Sequence, residues 1–163
     1  MLTFENYLTD IPFLIAGIPL TIGISIGAFI CGVIISLPMA VIRILKTPFI
    51  NQIILGWIEF FRTTPPLVHI VWIYYVFPIA FDLRFSALTV VILALSANTS
   101  AQMAEIFRAG IQAISRGQTE AGTVLGLNYV QRLFYIILPQ AVRLIMAPSA
   151  NTLVSLLKDS SLA

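Results

Sequence analysis

The stretch IPFLIAGIPLTIGISIGAFICGVIISLPMAVI, residues 11–42, contains no charged side chain over 32 consecutive positions. A helix needs about 20 apolar residues to cross the hydrocarbon core of a bilayer, so this stretch predicts a membrane-spanning helix. Pro12 and Pro19 lie near its start and favour a lead-in segment, which places the helix at about 15–42. The first ten residues carry no Lys or Arg, unlike a signal peptide, so we expect the span to stay in the mature protein.

The composition extends this interpretation to the whole chain. Of 163 residues, 59% are apolar and 10% are charged, and the mean hydropathy is +0.99, whereas soluble domains carry about 25% charged residues. The net charge of the chain, +2, is small and its basic residues lie between apolar stretches, which does not favour nucleic-acid binding.

Cys31 and His69 are the single cysteine and the single histidine, which excludes an intrachain disulfide and a His/Cys metal cluster.

Three further spans are predicted from uncharged runs, at about 64–81, 85–104 and 141–157. The span at 85–104 is rich in small side chains, some of them paired at the four-residue spacing that lets helices pack closely in lipid. These pairs are Ser96 with Ser100 and Ala97 with Ala101. The predicted fold is an all-α membrane helix bundle of about four spans, in one domain covering residues 1–163.

The basic residues are distributed unevenly between the two ends of these spans. With the amino terminus outside, only Arg84 and Lys158 face outward, and the other basic residues fall on or near the cytoplasmic side. An excess of Lys and Arg in cytoplasmic loops is the usual arrangement, so we expect this orientation in the cell membrane. It makes segment 105–140 a cytoplasmic polar loop with short helices of its own.

Local signals inside that loop predict a helix–turn–helix. A short helix is expected at about 119–125, and Gly126 suits its carboxyl-terminal stop. Asn128 can cap the next helix, with Gln131 three residues later as its capping-box partner. Pro139 is expected to break or kink that helix. A short helix projecting from the membrane would suit a mechanical partner protein.

The same loop resembles a known motif. Glu120-Ala121-Gly122, then Gly126 three residues on, then IILP ending at Pro139, is similar to the EAA loop of binding-protein-dependent ABC import permeases. Gly122 departs from the usual third-position Ala, and glycine weakens a helix by up to about 1 kcal/mol.

Three other stretches resemble the polar amino acid permeases of that family. They are EFFRTTPPLV at 59–68, AEIFRAGI at 104–111 and LLKDSSLA at 156–163. The departures are Pro66 for the usual Leu, His69 for a usual Gln and Ser115 for a usual Pro. The resemblance covers residues 11–163, and its four motifs occur in order.

The resemblance implies the fold of a type I ABC importer permease. Two permease subunits, identical or related, would form the translocation path in the lipid, and two cytoplasmic ATPase subunits would each receive a coupling helix at about 119–127. An extracytoplasmic binding protein would deliver the amino acid. The implied ATPase-coupling residues are Glu120, Ala121, Gly122, Gly126, Leu127 and Pro139. The chain has no Walker A loop, so we expect it to bind no cofactor and ATP to be used by the partner subunit.

Several of the residues singled out above have more than one interpretation. Glu120 could simply stabilise the positive end of a helix dipole, and Gly126 could be only a helix stop. Glu59 and Arg62 could form an interfacial charge pair or part of a gate. His69 could touch substrate or be a hydrogen-bonded packing residue. Lys158 could contact its neighbour, the partner subunit or the substrate.

Two rival functions remain at this level. A membrane-embedded enzyme would need an acid–base or nucleophilic constellation, for which Glu59, Arg62 and His69 are the only candidates, without recognisable spacing. A non-transporting remnant is the second rival, because in the family the LLKDSSLA segment is followed by another loop and a fifth span. We therefore expect a truncated or partial permease that transports poorly alone.

Overall fold

The computed structural model describes residues 4–161, with side chains from Ile15 onward. Over this range the chain is helical and contains no strand, so the prediction of an all-α fold is confirmed. Six helices follow one another along the chain. They are α1 (Phe4–Leu45), α2 (Ile50–Thr63), α3 (Pro66–Phe81), α4 (Ala87–Gln112), α5 (Arg116–Val124) and α6 (Tyr129–Ser160).

Three of these helices are long and apolar enough to cross a membrane, namely α1 from Ile15, α4 and α6. Helices α2 and α3 meet at an angle of 106° and together qualify as a fourth, bent span. The expectation of about four membrane spans agrees with this arrangement.

The helix ends differ from the predicted span limits. α1 extends from Phe4 to Leu45 rather than from 15 to 42, α4 continues past residue 104 to Gln112, and α6 begins at Tyr129 instead of 141. Segment 105–140 is therefore not mainly a loop, because both flanking helices continue into it. Polar residues do not end a helix when their side chains are paired along its surface, as Glu105 and Arg108 are in α4.

Helix α4 is the centre of the bundle and contacts α1, α2, α3 and α6. Its small residues Ala94, Ser96, Ser100, Ala101 and Ala104 are buried, as expected for close helix packing in lipid. α1 approaches α4 closely at Gly32, where an added Cβ would lie 2.6 Å from the Cβ of Thr99.

The bend between α2 and α3 is explained by Pro65. In a continuous helix the N–H of residue 65 would bond to the carbonyl of Phe61, but proline has no N–H. The buried Asn98 of α4 replaces it, since its Nδ2 donates to the Phe61 carbonyl at 2.6 Å. The helix can end here without leaving that buried acceptor unpaired.

Two π-helical turns each precede a proline. Trp72–Val76 in α3 is followed by Pro78, and Leu133–Ile137 in α6 is followed by Pro139. Of the two effects predicted for Pro139, the break is wrong, because α6 continues through it, and the kink stays a prediction. A wider π turn shifts the carbonyl that the proline ring would otherwise meet, so the helix absorbs the residue.

Candidate functional site

The segment from α5 to the start of α6 is held by regular helix-end hydrogen bonds. The Leu127 N–H donates to the Gly122 carbonyl and the Gly126 N–H to the Thr123 carbonyl, both at 3.0 Å. Gly126 has a φ of 75°. This is a Schellman ending, which favours glycine at the left-handed position. The short helix exists as expected, although it starts at Arg116 and ends at Val124 instead of spanning 119–125.

Asn128 begins α6 with the predicted capping box. Its Oδ1 accepts from the Gln131 N–H at 2.9 Å, and the Gln131 Oε1 accepts from the Asn128 N–H at 2.9 Å. Two backbone N–H groups at the start of the helix, which have no partner within the helix itself, are thereby hydrogen-bonded. Helix α5, its turn and the first turn of α6 therefore form one continuous, internally bonded unit.

Gly122 lies where α5 packs against α6. It is buried, and an added Cβ would meet the Cδ1 of Ile136 at 2.8 Å and the Cγ of Arg132 at 2.9 Å. The glycine therefore permits a close approach between the two helices. It does so although glycine itself weakens the helix that contains it.

Two side-chain contacts reinforce this packing. Arg132 Nη1 donates to the hydroxyl of Thr123, and Gln140 Nε2 donates to Gln118 Oε1 at 3.3 Å. Helix α5 is thus attached to α6 near both of its ends, with Gly122 packed between.

The outer side of α5 is exposed. Glu120 and Ala121 are exposed, and the side chains of Val124 and Leu125 are 88% and 75% exposed. We call these four residues the α5 surface. Leu127 is half-buried under the turn, and Pro139 is exposed further along α6. Sequence reasoning missed Val124 and Leu125, although two large aliphatic residues directly before the glycine stop were the available signal.

A charge network that sequence reasoning did not predict joins α1 to α4. Glu105 Oε1 accepts from Arg43 Nη2 at 3.1 Å, and Glu105 Oε2 accepts from Arg108 Nη2 at 2.6 Å. Arg43 Nη1 also donates to Asn51 Oδ1 of α2 at 3.3 Å. The network lies towards the carboxyl-terminal end of α4 and ties three helices together.

The structure keeps the predicted gate candidates apart. Glu59 and Arg62 are both exposed at the end of α2, and no salt bridge joins them within residues 15–161. Arg62 lines a cleft of about 580 Å³ with Gln102 and Arg108 of α4. Lys158 is exposed and makes no salt bridge with any residue that the structure describes.

His69 lies inside the bundle rather than on its surface. Its side chain is 4% exposed, and its ring centroid is 4.5 Å from that of Phe61. Neither ring nitrogen has a hydrogen-bond partner in the described part of the chain. The hydrogen bonds predicted for a packing histidine are therefore missing in this part of the chain, and no bond links His69 to Glu59 or Arg62 there.

Comparison of the sequence with known protein families and proteins identifies the family to which the chain belongs. The family model described as "Binding-protein-dependent transport system inner membrane component" matches residues 32–163. The L-cystine transport system permease protein TcyB of Bacillus subtilis is 39% identical over 93% of this chain and 64% of its own length. The glutamine transport system permease protein GlnP of Escherichia coli K12 is 36% identical over 93% of this chain and 70% of its own length.

A solved structure shares the fold. The chain superposes on a crystal structure of an amino acid ABC transporter with histidines at a TM-score of 0.89, with 32% identity over 99% of this chain and 75% of that one. The chain spans about two thirds of the length of the curated relatives that it matches. It belongs to the family of binding-protein-dependent transport system inner membrane components.

Proposed function

We propose that this chain is a permease subunit of an ATP-driven importer of polar amino acids. The family is one of inner-membrane transport components, and the named relatives are permeases of cystine and glutamine systems. We propose that it pairs with a second permease subunit, identical or related, around a shared translocation path. An extracytoplasmic binding protein delivers the amino acid, and the amino terminus faces outward.

The observation that supports a role in coupling to an ATPase is the difference between the two sides of α5. Its inner side is fixed to α6 through Gly122, Thr123 and Gln118. Its outer side presents exposed Val124 and Leu125 beside Glu120. Full burial of one such aliphatic side chain stabilises a complex by about 1.5 to 3 kcal/mol. A cytoplasmic ATPase is the partner that we propose for this surface.

Movement of α5 would reach the membrane by two routes. One is the direct attachment to α6. The other is the short connection at 113–115 to α4, which the Glu105 network joins to Arg43 of α1. ATP is bound and hydrolysed by the partner subunit in this scheme, and the chain itself contributes no catalytic residue or cofactor. Glu59, Arg62, His69 and Lys158 remain candidates for the path or its gates.

The test is to place a charge on the α5 surface without disturbing its packing. Leu125→Glu and Val124→Glu alter side chains that face outward, so the chain should still insert and fold. Recruitment of the cognate ATPase to membranes and ATP-dependent amino acid uptake should both fall at least tenfold. The matched control is Leu83→Glu, an exposed leucine in the connection between α3 and α4. Unchanged recruitment in both α5 variants would refute the coupling assignment.

A further inference from the structure

The bend between α2 and α3 forms an open-sided cavity of about 390 Å³. Phe60, Phe61 and Thr64 line it from α2 and its end, and His69, Trp72 and Ile73 line it from α3. Ligand pockets in proteins range from about 300 to 1,000 Å³ and are mostly apolar with a few polar groups. The cavity matches that description in both volume and wall chemistry. We call it the elbow cavity.

His69 is the buried polar residue of the elbow cavity, whose lining also includes Thr64. Both of its ring nitrogens are buried, and neither has a hydrogen-bond partner among residues 15–161. Burying a polar group without a partner costs about 1 to 3 kcal/mol, so such groups are rare in folded proteins. A neutral imidazole carries one donor and one acceptor. A bound molecule with a hydroxyl or N–H group would give one of the two nitrogens a partner.

Backbone geometry points to the same place. The π turn at Trp72–Val76 starts at a wall residue of the cavity, and π turns inside α-helices occur frequently at functional sites. The walls also come from both sides of the 106° bend. A molecule bound there would contact α2 and α3 together and would stabilise the angle between them.

The wall residues restrict the ligand to neutral molecules. No Asp, Glu, Lys or Arg lines the cavity in the part of the chain that the structure describes. A zwitterionic amino acid would bury two charges there without countercharges, which is strongly unfavourable. Aromatic walls favour a flat, apolar molecule through ring contacts. Molecules of this kind dissolve in the bilayer and can reach the cavity from it.

We propose that the elbow cavity is a binding site for small neutral aromatic molecules that carry one hydroxyl or N–H group, held by a hydrogen bond to His69. This proposal goes beyond the proposed transport of polar amino acids and does not depend on it. The ligand class follows from the aromatic walls, from the absence of charge and from the unpaired imidazole.

His69 is the only histidine in the chain, so ¹⁵N-histidine labelling gives a single imidazole spectrum that reports on this site. The full chain in lipid nanodiscs would be titrated with 4-ethylphenol and, as a matched probe without the hydroxyl, ethylbenzene. Nanodiscs without protein give the background from partition into lipid. We expect a saturable shift of the imidazole signals with 4-ethylphenol and about fivefold weaker binding of ethylbenzene, since one neutral hydrogen bond separates the probes.

Three variants decide the outcome. Ile73→Trp fills the cavity but keeps His69, so it should abolish the shift. His69→Leu, followed by saturation transfer to the probes, should bind both with equal affinity, and His69→Gln should restore the preference for the phenol. The proposal is overturned by the absence of a saturable shift, by a shift that persists in Ile73→Trp, or by a preference that persists in His69→Leu.

Discussion

The contact between α1 and α4 at Gly32 allows a quantitative test of the packing. In Gly32→Ala the new Cβ would lie 2.6 Å from both Cβ and Cγ2 of Thr99 and 3.1 Å from the backbone oxygen of Ser96. Carbon atoms in contact prefer about 3.5 to 4.0 Å, so the helices must separate by about 1 Å. Neither the Thr99 Cβ nor the Ser96 carbonyl can move without its helix. Overpacking of this kind costs about 1 to 3 kcal/mol.

The matched control is Gly23→Ala in the same helix, where an added Cβ meets nothing within 4 Å. Both variants gain up to about 1 kcal/mol from the higher helix propensity of alanine. The difference between their free energies of unfolding therefore isolates the clash, and we expect Gly32→Ala to be less stable by about 1 to 3 kcal/mol. Unfolding in mixed micelles, followed by the fluorescence of Trp57 and Trp72, measures it. Equal stability of the two variants would show that α1 and α4 do not pack as described.

Three further predictions use the same unfolding assay. Asn98→Leu should cost about 1 to 3 kcal/mol, because it leaves the Phe61 carbonyl unpaired, whereas Gln102→Leu should cost less because Asn98 keeps that bond. Asn128→Ala should cost about 1 kcal/mol through loss of its cap, and Ser115→Ala should have little effect because Ser115 makes no side-chain cap bond. A double-mutant cycle of Arg43→Gln and Glu105→Gln should give a coupling of about 1 kcal/mol, and a value near zero would mean that the pair does not join α1 to α4.

The sequence was informative wherever a local rule determines the structure. Uncharged runs of about 20 residues located the membrane helices, because an unpaired charge is costly in lipid. Asn128 and Gln131 predicted their capping box correctly, since the pattern depends only on residues three apart. Gly126 was likewise recognised as the stop of the short helix.

Sequence reasoning failed where distant residues decide the structure, and also where a helix continues through a proline or beyond the apolar region. The salt bridge between Arg43 and Glu105 joins residues 62 positions apart, and nothing in either neighbourhood indicates the other. The Phe61 carbonyl finds its donor on another helix, which a local pattern does not show. Pro139 did not end its helix because a π turn absorbs it. The limits of α4 and α6 were missed because a helix can leave the apolar region without ending.

Helix α6 has a mechanical consequence that follows from its length. It runs over 32 residues, which corresponds to about 48 Å at a rise of 1.5 Å per residue. Its first turns are bonded to α5, so a push on that short helix acts at one end of a long arm. A rotation of about 10° at this end would displace the opposite end by about 8 Å. In the proposed coupling scheme, a small movement at the α5 surface would then give a displacement as wide as an amino acid at the far end of the bundle.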